Sequence, residues 1–176
     1  MSVRRLIVMA VAVGLASALV VLIEAPPRRA GEEAVRGPRL FKMSAREISQ
    51  VRVSIGERHA VASRVGDGWL LDGRPASPPL ADALADLVRT LATLRAVDRF
   101  LPRDGASFGF EPPRATIEVT SGARQTRVVL GELNAARSAV YARREGTPRV
   151  WLIGLYLVSA LERVIYFASL EPPPLR

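Results

Sequence analysis

The sequence predicts an α+β domain, a mostly antiparallel β-sheet built from hairpins with two amphipathic helices packed on it, preceded by one N-terminal transmembrane helix. Three observations predict it. Leu6–Ile23 is an unbroken apolar run; short stretches of alternating apolar and polar residues recur between Gly-containing turns; and two later stretches repeat apolar residues every three to four positions.

The elements follow in chain order. Arg4 and Arg5 precede the run Leu6–Ile23 (LIVMAVAVGLASALVVLI), which is 18 residues long. At about 1.5 Å per residue it reaches roughly 27 Å, close to the roughly 30 Å hydrocarbon core of a bilayer. It is longer than the centre of a secretory signal, and no Ala-x-Ala cleavage site follows it, so the expectation is an uncleaved anchor over residues 1–24. With no cysteine in the chain, a lipidated Cys cannot anchor it. Arg4 and Arg5 favour a cytoplasmic N-terminus and an extracytoplasmic domain, on the outer side of the inner membrane, although Arg28 and Arg29 weaken that bias. Residues 25–43 are rich in Pro, Gly and charge without periodicity and read as a linker. Arg28, Arg29, Arg36 and Arg39 in it are candidate membrane-surface contacts for anionic headgroups.

Residues 44–170 read as one domain and 171–176 as a Pro-rich tail. Ser44–Glu47 fits a capping box, predicting a short helical turn over Ala45–Ser49. Val51, Val53 and Ile55 alternate as a strand; Val61–Val65 continue as a second; Gly66-Asp67-Gly68 turns into a third at Trp69–Leu71. Trp69 in that setting is a core residue before it is a ligand-stacking one. Ser77-Pro78-Pro79 starts a helix, with Ser77 as its cap. Leu80, Leu84, Leu87, Val88, Leu91 and Leu94 fall on one face of it, and Asp82 and Asp86 precede Arg89 and Arg95 as the helix dipole prefers. Val97–Leu101 is a short strand and residues 102–113 a loop. Residues 116–120 and 125–130 form a hairpin, residues 131–138 a loop, and residues 139–143 and 149–153 a second hairpin. Leu157, Leu161, Val164, Ile165 and Ala168 form the second helical stripe, with Ser159, Glu162 and Arg163 opposite; Glu162 and Arg163 argue against a second membrane span.

The chain carries +8 net charge, with hydrophobic residues at 49% and charged ones at 24%, values of a folded domain rather than a disordered one. Of its 25 basic residues only Lys42 is a lysine, a bias that GC-rich codon usage produces without selection for Arg chemistry. The basic residues are scattered and aromatics do not interleave with them, so nucleic acid is not the expected partner.

No residue set points to catalysis. His59 is the sole histidine; an enzyme would need it beside a carboxylate and a nucleophile, and no G-x-S-x-G elbow, P-loop or dinucleotide fingerprint occurs. Asp82 and Asp86, spaced i, i+4, could be read as metal ligands, but no second ligand set supports them. No catalytic, cofactor-binding or metal-ligating residues are therefore expected.

The order of motifs resembles the bacterial family known as domain of unknown function 4340. The residues that carry it are D-G-W-x-L at Asp67–Leu71, the helix Leu80–Leu94, A-V-D-R-F at Ala96–Phe100 and F-G-F-E-P-P at Phe108–Pro113. V-V-L-G at Val128–Gly131, Val-Tyr-Ala-Arg at Val140–Arg143 and the strand Arg149–Ile153 follow. Phe110 departs from the family's usual Leu. The resemblance implies a membrane-anchored extracytoplasmic protein, often associated with ABC-type transport, and supplies no catalytic residues. Gly109 and Pro112–Pro113 read as structural.

The expected function is a non-catalytic accessory or structural subunit. It is held in the bilayer by Leu6–Ile23 and docks on a larger membrane complex of transport, respiratory or photosynthetic kind. The alternative is a periplasmic ligand-binding module with a pocket near Trp69 or Trp151.

Overall fold

A computed structural model describes residues 37–172. The anchor Leu6–Ile23, with Arg28, Arg29 and Arg36, lies outside the described residues. Among the described residues no helix is long and apolar enough to cross a membrane.

Alternation of apolar and polar side chains, clearest at Ile48–Ile55, Arg58–Val65 and Ala115–Ser121, marks most of the strands. In order they are β1 (Ile48–Ile55), β2 (Arg58–Val65), β3 (Gly68–Leu71), β4 (Arg74–Pro75), β5 (Ala96–Phe100), β6 (Ala115–Ser121), β7 (Arg124–Leu133), β8 (Ala139–Arg144) and β9 (Val150–Gly154). Two helices accompany them, α1 (Pro78–Thr93) and α2 (Tyr156–Leu170). The strands form one sheet in the order β4-β3-β2-β1-β6-β7-β8-β9-β5, antiparallel at every step. Two meanders, β1–β4 and β6–β9, therefore join through β1 and β6. The chain leaves one edge at β4 and returns at the opposite edge as β5, so α1 is the connection that carries it across.

Pairing places Ala62, Val51, Val119 and Ala60, Val53, Ile117, Val128 in rows on one face, where α1 and α2 cover the sheet. On α1, Leu80, Ala83, Leu84, Leu87, Val88 and Leu91 are buried; on α2, Leu157, Val158, Ala160, Leu161, Val164 and Ile165. Among the described residues every buried side chain is hydrophobic. Burying such surface contributes about 25 cal/mol per Å² and holds the helices on the sheet.

Several expectations are corrected. The linker ends before residue 43: Leu40, Phe41 and Met43 are buried in the core, and Pro38–Leu40 pair with Leu94–Ala96 through Ala96 N–H to the Pro38 carbonyl (2.9 Å) and Leu40 N–H to the Leu94 carbonyl (3.2 Å). Arg39, between Gly37 and Leu40, is an exposed residue of the domain itself. The turn at Ala45 ends at Glu47, because Ile48 is already drawn into β1; only half of the capping box forms, the Ser44 N–H donating to Glu47 Oε2 at 2.8 Å. Ser77 stands at the N-cap of α1, but its side chain makes no cap hydrogen bond, and its backbone N–H donates instead to Glu171 Oε1 at 3.1 Å. Neither terminal turn of α1 carries the dipole-matched charges. Strand β7 continues through the expected loop to Leu133, with a bulge between Leu130 and Leu133. Strand β4, two residues ending in Pro75, is too short to leave a periodic signal.

Candidate functional site

The sheet face away from the helices is closed at one end by the β5–β6 loop, residues 101–114, and the best-built site lies there. Phe100 ends β5 on this face, opposite Val150 of β9, and Val150 in turn stands opposite Arg143 of β8. Tyr141, two residues before Arg143, shares the face. From the loop, Phe108 reaches Tyr141 (ring centroids 4.9 Å), Phe100 (5.8 Å) and Phe110 (6.1 Å). Phe100 also meets Tyr141 edge to face at 6.4 Å.

Two glycines seat the loop. The bulge in β7 frees the Glu132 N–H from the ladder, and it donates to the Phe108 carbonyl at 2.8 Å. Gly131 lets that carbonyl approach, since a Cβ there would overlap it and press on Phe110 Cδ1 at 3.0 Å. Gly109 takes a φ of 69°, and a Cβ there would run into Glu132. Further along, the Glu111–Pro112 peptide is cis, Phe110 bridges to Pro113, and the Arg114 N–H donates to the Leu130 carbonyl at 2.9 Å.

The Arg143 guanidinium lies over the Phe110 ring at 4.8 Å and 3.9 Å from Glu111, whose side chain is 90% exposed. An exposed pair of this kind is weak, so Arg143 is available to another anion. The groove between loop and sheet is about 630 Å³, with Pro102, Phe108, Phe110, Arg143, Pro148 and Val150 among its walls. Chemically it offers aromatic faces, one cation and an edge. Among the described residues β5 pairs along its length with β9, its first residue Ala96 also donates to the Pro38 carbonyl, and Val97 (70% exposed) and Leu101 (60%) stand bare on or next to it.

Other residues singled out from the sequence lie apart from this groove. Trp69 and Trp151 are buried in the core, with Arg64 and Arg99 over their rings at 4.9 and 5.3 Å, so the groove is not at either tryptophan. His59 is exposed on β2, opposite Ser54. Asp82 is exposed on α1, and Asp86 holds Arg89 on one oxygen and Arg163 of α2 on the other. Hydrogen bonding from Arg89, with the charges of Arg89 and Arg163, holds the Asp86 carboxyl below the usual carboxylate range. Among the described residues no group of His, Cys, Asp or Glu side chains could hold a metal ion.

Sequence reasoning treated Phe108–Pro113, Gly131 and Tyr141–Arg143 as separate motifs and missed that they meet. The available signal was composition: a Gly at the end of an apolar strand marks a bulge or a close backbone approach, and three phenylalanines within eleven residues of a polar loop need somewhere to pack. Four of the motifs that carried the family resemblance converge here, those ending at Phe100, Pro113, Gly131 and Arg143.

No curated protein and no solved structure matches this chain. Residues 69–165, more than half of its length and inclusive of every element of the groove, match the family described as Domain of unknown function (DUF4340), and the chain belongs to that family.

Proposed function

We propose that this chain is a membrane-anchored, non-catalytic extracytoplasmic accessory subunit that docks on a larger membrane protein assembly through the β5–β6 groove. The observation that carries this reading is the groove with its exposed edge: aromatic walls, Arg143 and the end of β5 beyond Ala96, which no described strand but β9 pairs, lie close together, and Val97 and Leu101 face solvent. An extended segment of a partner can add to a free strand edge through its backbone and place alternate side chains in flanking pockets. The positive chain and Arg143 favour a segment that brings an acidic group to the guanidinium. The apolar run Leu6–Ile23 supports the membrane side of the reading.

The test is extraction of native membranes in mild detergent, affinity purification of the full chain and mass spectrometry, run in parallel for Leu101→Glu and Arg143→Glu. Stoichiometric recovery of one membrane assembly with the unmodified chain, reduced at least tenfold in both variants, supports docking at this groove. Recovery of the chain alone, or equal recovery with the variants, overturns it.

A second reading, a small-ligand module, is favoured by one observation: the volume of the groove lies within the range of small-molecule sites and pairs apolar walls with one cation. Native mass spectrometry of the purified chain separates the two, because a module of that kind retains an added mass that Arg143→Glu loses.

A further inference from the structure

At one end of the sheet, three stretches of chain far apart in sequence bring basic side chains to a second groove. Lys42 comes from the segment before β1, Arg124 from the start of β7 at the β6–β7 turn, and Arg144 from the end of β8. The groove is about 440 Å³. Phe41 and Met43, both buried in the core, back it, and Thr126 contributes a hydroxyl. Register explains the grouping. Val128 stands opposite Arg144, and Val119 opposite Thr126, so the row that is core further along the sheet becomes Thr and Arg at this end.

Among the described residues, no carboxylate lies within ion-pair distance of Lys42, Arg124 or Arg144. Arg127, also in the groove, is already held by Glu118 at 3.5 Å. Glu145 lines the groove without pairing to any of the three cations. Arg144 is half-buried, while Lys42 and Arg124 are exposed. Like charges gathered in a groove repel, and an anion bound between them relieves that repulsion. A phosphate group fits this better than a carboxylate: its acceptor oxygens can meet a guanidinium fork, an ammonium and a hydroxyl at once.

We infer that the groove of Lys42, Arg124 and Arg144 binds a phosphate group. The same chemistry is met in a phospholipid headgroup and in a soluble phosphate ester, and the test separates them. The inference does not depend on the docking groove on the opposite face.

The experiment follows the unfolding midpoint of the full chain in zwitterionic detergent. Sodium pyrophosphate is compared with sodium chloride at matched ionic strength, and phosphatidylcholine bicelles are compared with bicelles containing phosphatidylglycerol. A phosphate ligand at tenfold over its Kd raises the midpoint by about 4 °C. The shift is expected to vanish in Lys42→Gln/Arg124→Gln/Arg144→Gln, to persist in Arg46→Gln/Arg58→Gln, and to be restored in large part by the charge-keeping Lys42→Arg/Arg124→Lys/Arg144→Lys. That last variant keeps the test open if the Gln variant fails to fold. A shift with pyrophosphate alone identifies a soluble phosphate ester; a shift with phosphatidylglycerol alone, or with both, identifies a headgroup. No shift with either, the same shift in sodium chloride, or a shift that survives the triple Gln variant overturns the inference.

Discussion

Gly131→Ala is the sharpest probe of how the site is built, because propensity and structure disagree on its sign. Gly131 lies in strand β7 with φ outside the left-handed region, and replacing a strand glycine by alanine ordinarily gains about 0.5–1 kcal/mol. Here the new Cβ would overlap the Phe108 carbonyl oxygen and meet Phe108 C and Phe110 Cδ1 at 3.0 Å. The first two of these atoms are backbone, so no rotamer change relieves the overlap, and the loop must withdraw by about an ångström. Withdrawal breaks the Glu132 N–H bond to Phe108, worth about 1 kcal/mol. It also loosens the Phe108 contacts with Tyr141 and Phe100, each worth about 0.5–1.5 kcal/mol. The expected loss is about 2–4 kcal/mol, which lowers the urea midpoint by roughly 1–2 M. The assay is equilibrium urea unfolding of the full chain in detergent followed by circular dichroism, with near-ultraviolet ellipticity reporting the Phe108–Tyr141 packing. Gly68→Ala is the control: it too is a strand glycine with ordinary φ, and its Cβ would meet nothing closer than the Val65 carbonyl at 3.7 Å. It should be neutral or stabilising. A Gly131→Ala protein as stable as the unmodified chain, with unchanged near-ultraviolet signal, would refute the close seating of the loop.

Leu87→Ala on α1, fully buried between sheet and α2, should cost about 2–5 kcal/mol in urea unfolding. Val97→Glu and Leu101→Glu should leave the unfolding free energy within about 0.5 kcal/mol of the unmodified chain, because both side chains are exposed, while Leu101→Glu loses the co-purifying assembly. Asp86 should titrate below the ordinary carboxylate range in a carbon-13 NMR titration of its side chain, since Arg89 and Arg163 favour its ionised form. Its folded pKa lies below its unfolded value. Its contribution is therefore present above the unfolded pKa of about 3.9 and is lost as pH falls through the folded value. The stability gap between the unmodified chain and Asp86→Asn should accordingly close in acid, and a gap independent of pH would contradict the assignment.

Most of the elements were legible because their causes are local. The alternation at Val51–Ile55, the Gly66-Asp67-Gly68 turn and the Leu80–Leu91 spacing each encode an element within a few residues, and each appears where the period places it. Errors gathered where a distant group overrides a local preference. Ser77 resembles a cap, yet Glu171 takes its backbone N–H; residues 37–43 resemble a linker, yet Leu40 and Phe41 are needed in the core; residues 131–133 resemble a loop, yet β8 extends the pairing past a bulge.

By itself the sequence determined the α+β class, the helical core stripes, the hairpin turns and the family resemblance, since period, turn chemistry and motif order are properties of neighbouring residues. Only the tertiary structure decided that β1 pairs with β6, that β5 becomes an edge beside β9, and that Phe100, Phe108, Gly131, Tyr141 and Arg143 meet in one groove. The same holds for Lys42, Arg124 and Arg144 at the other groove. Those juxtapositions are chosen by which strand edges remain unpaired once the helices have buried their apolar faces, and no window of sequence contains both partners.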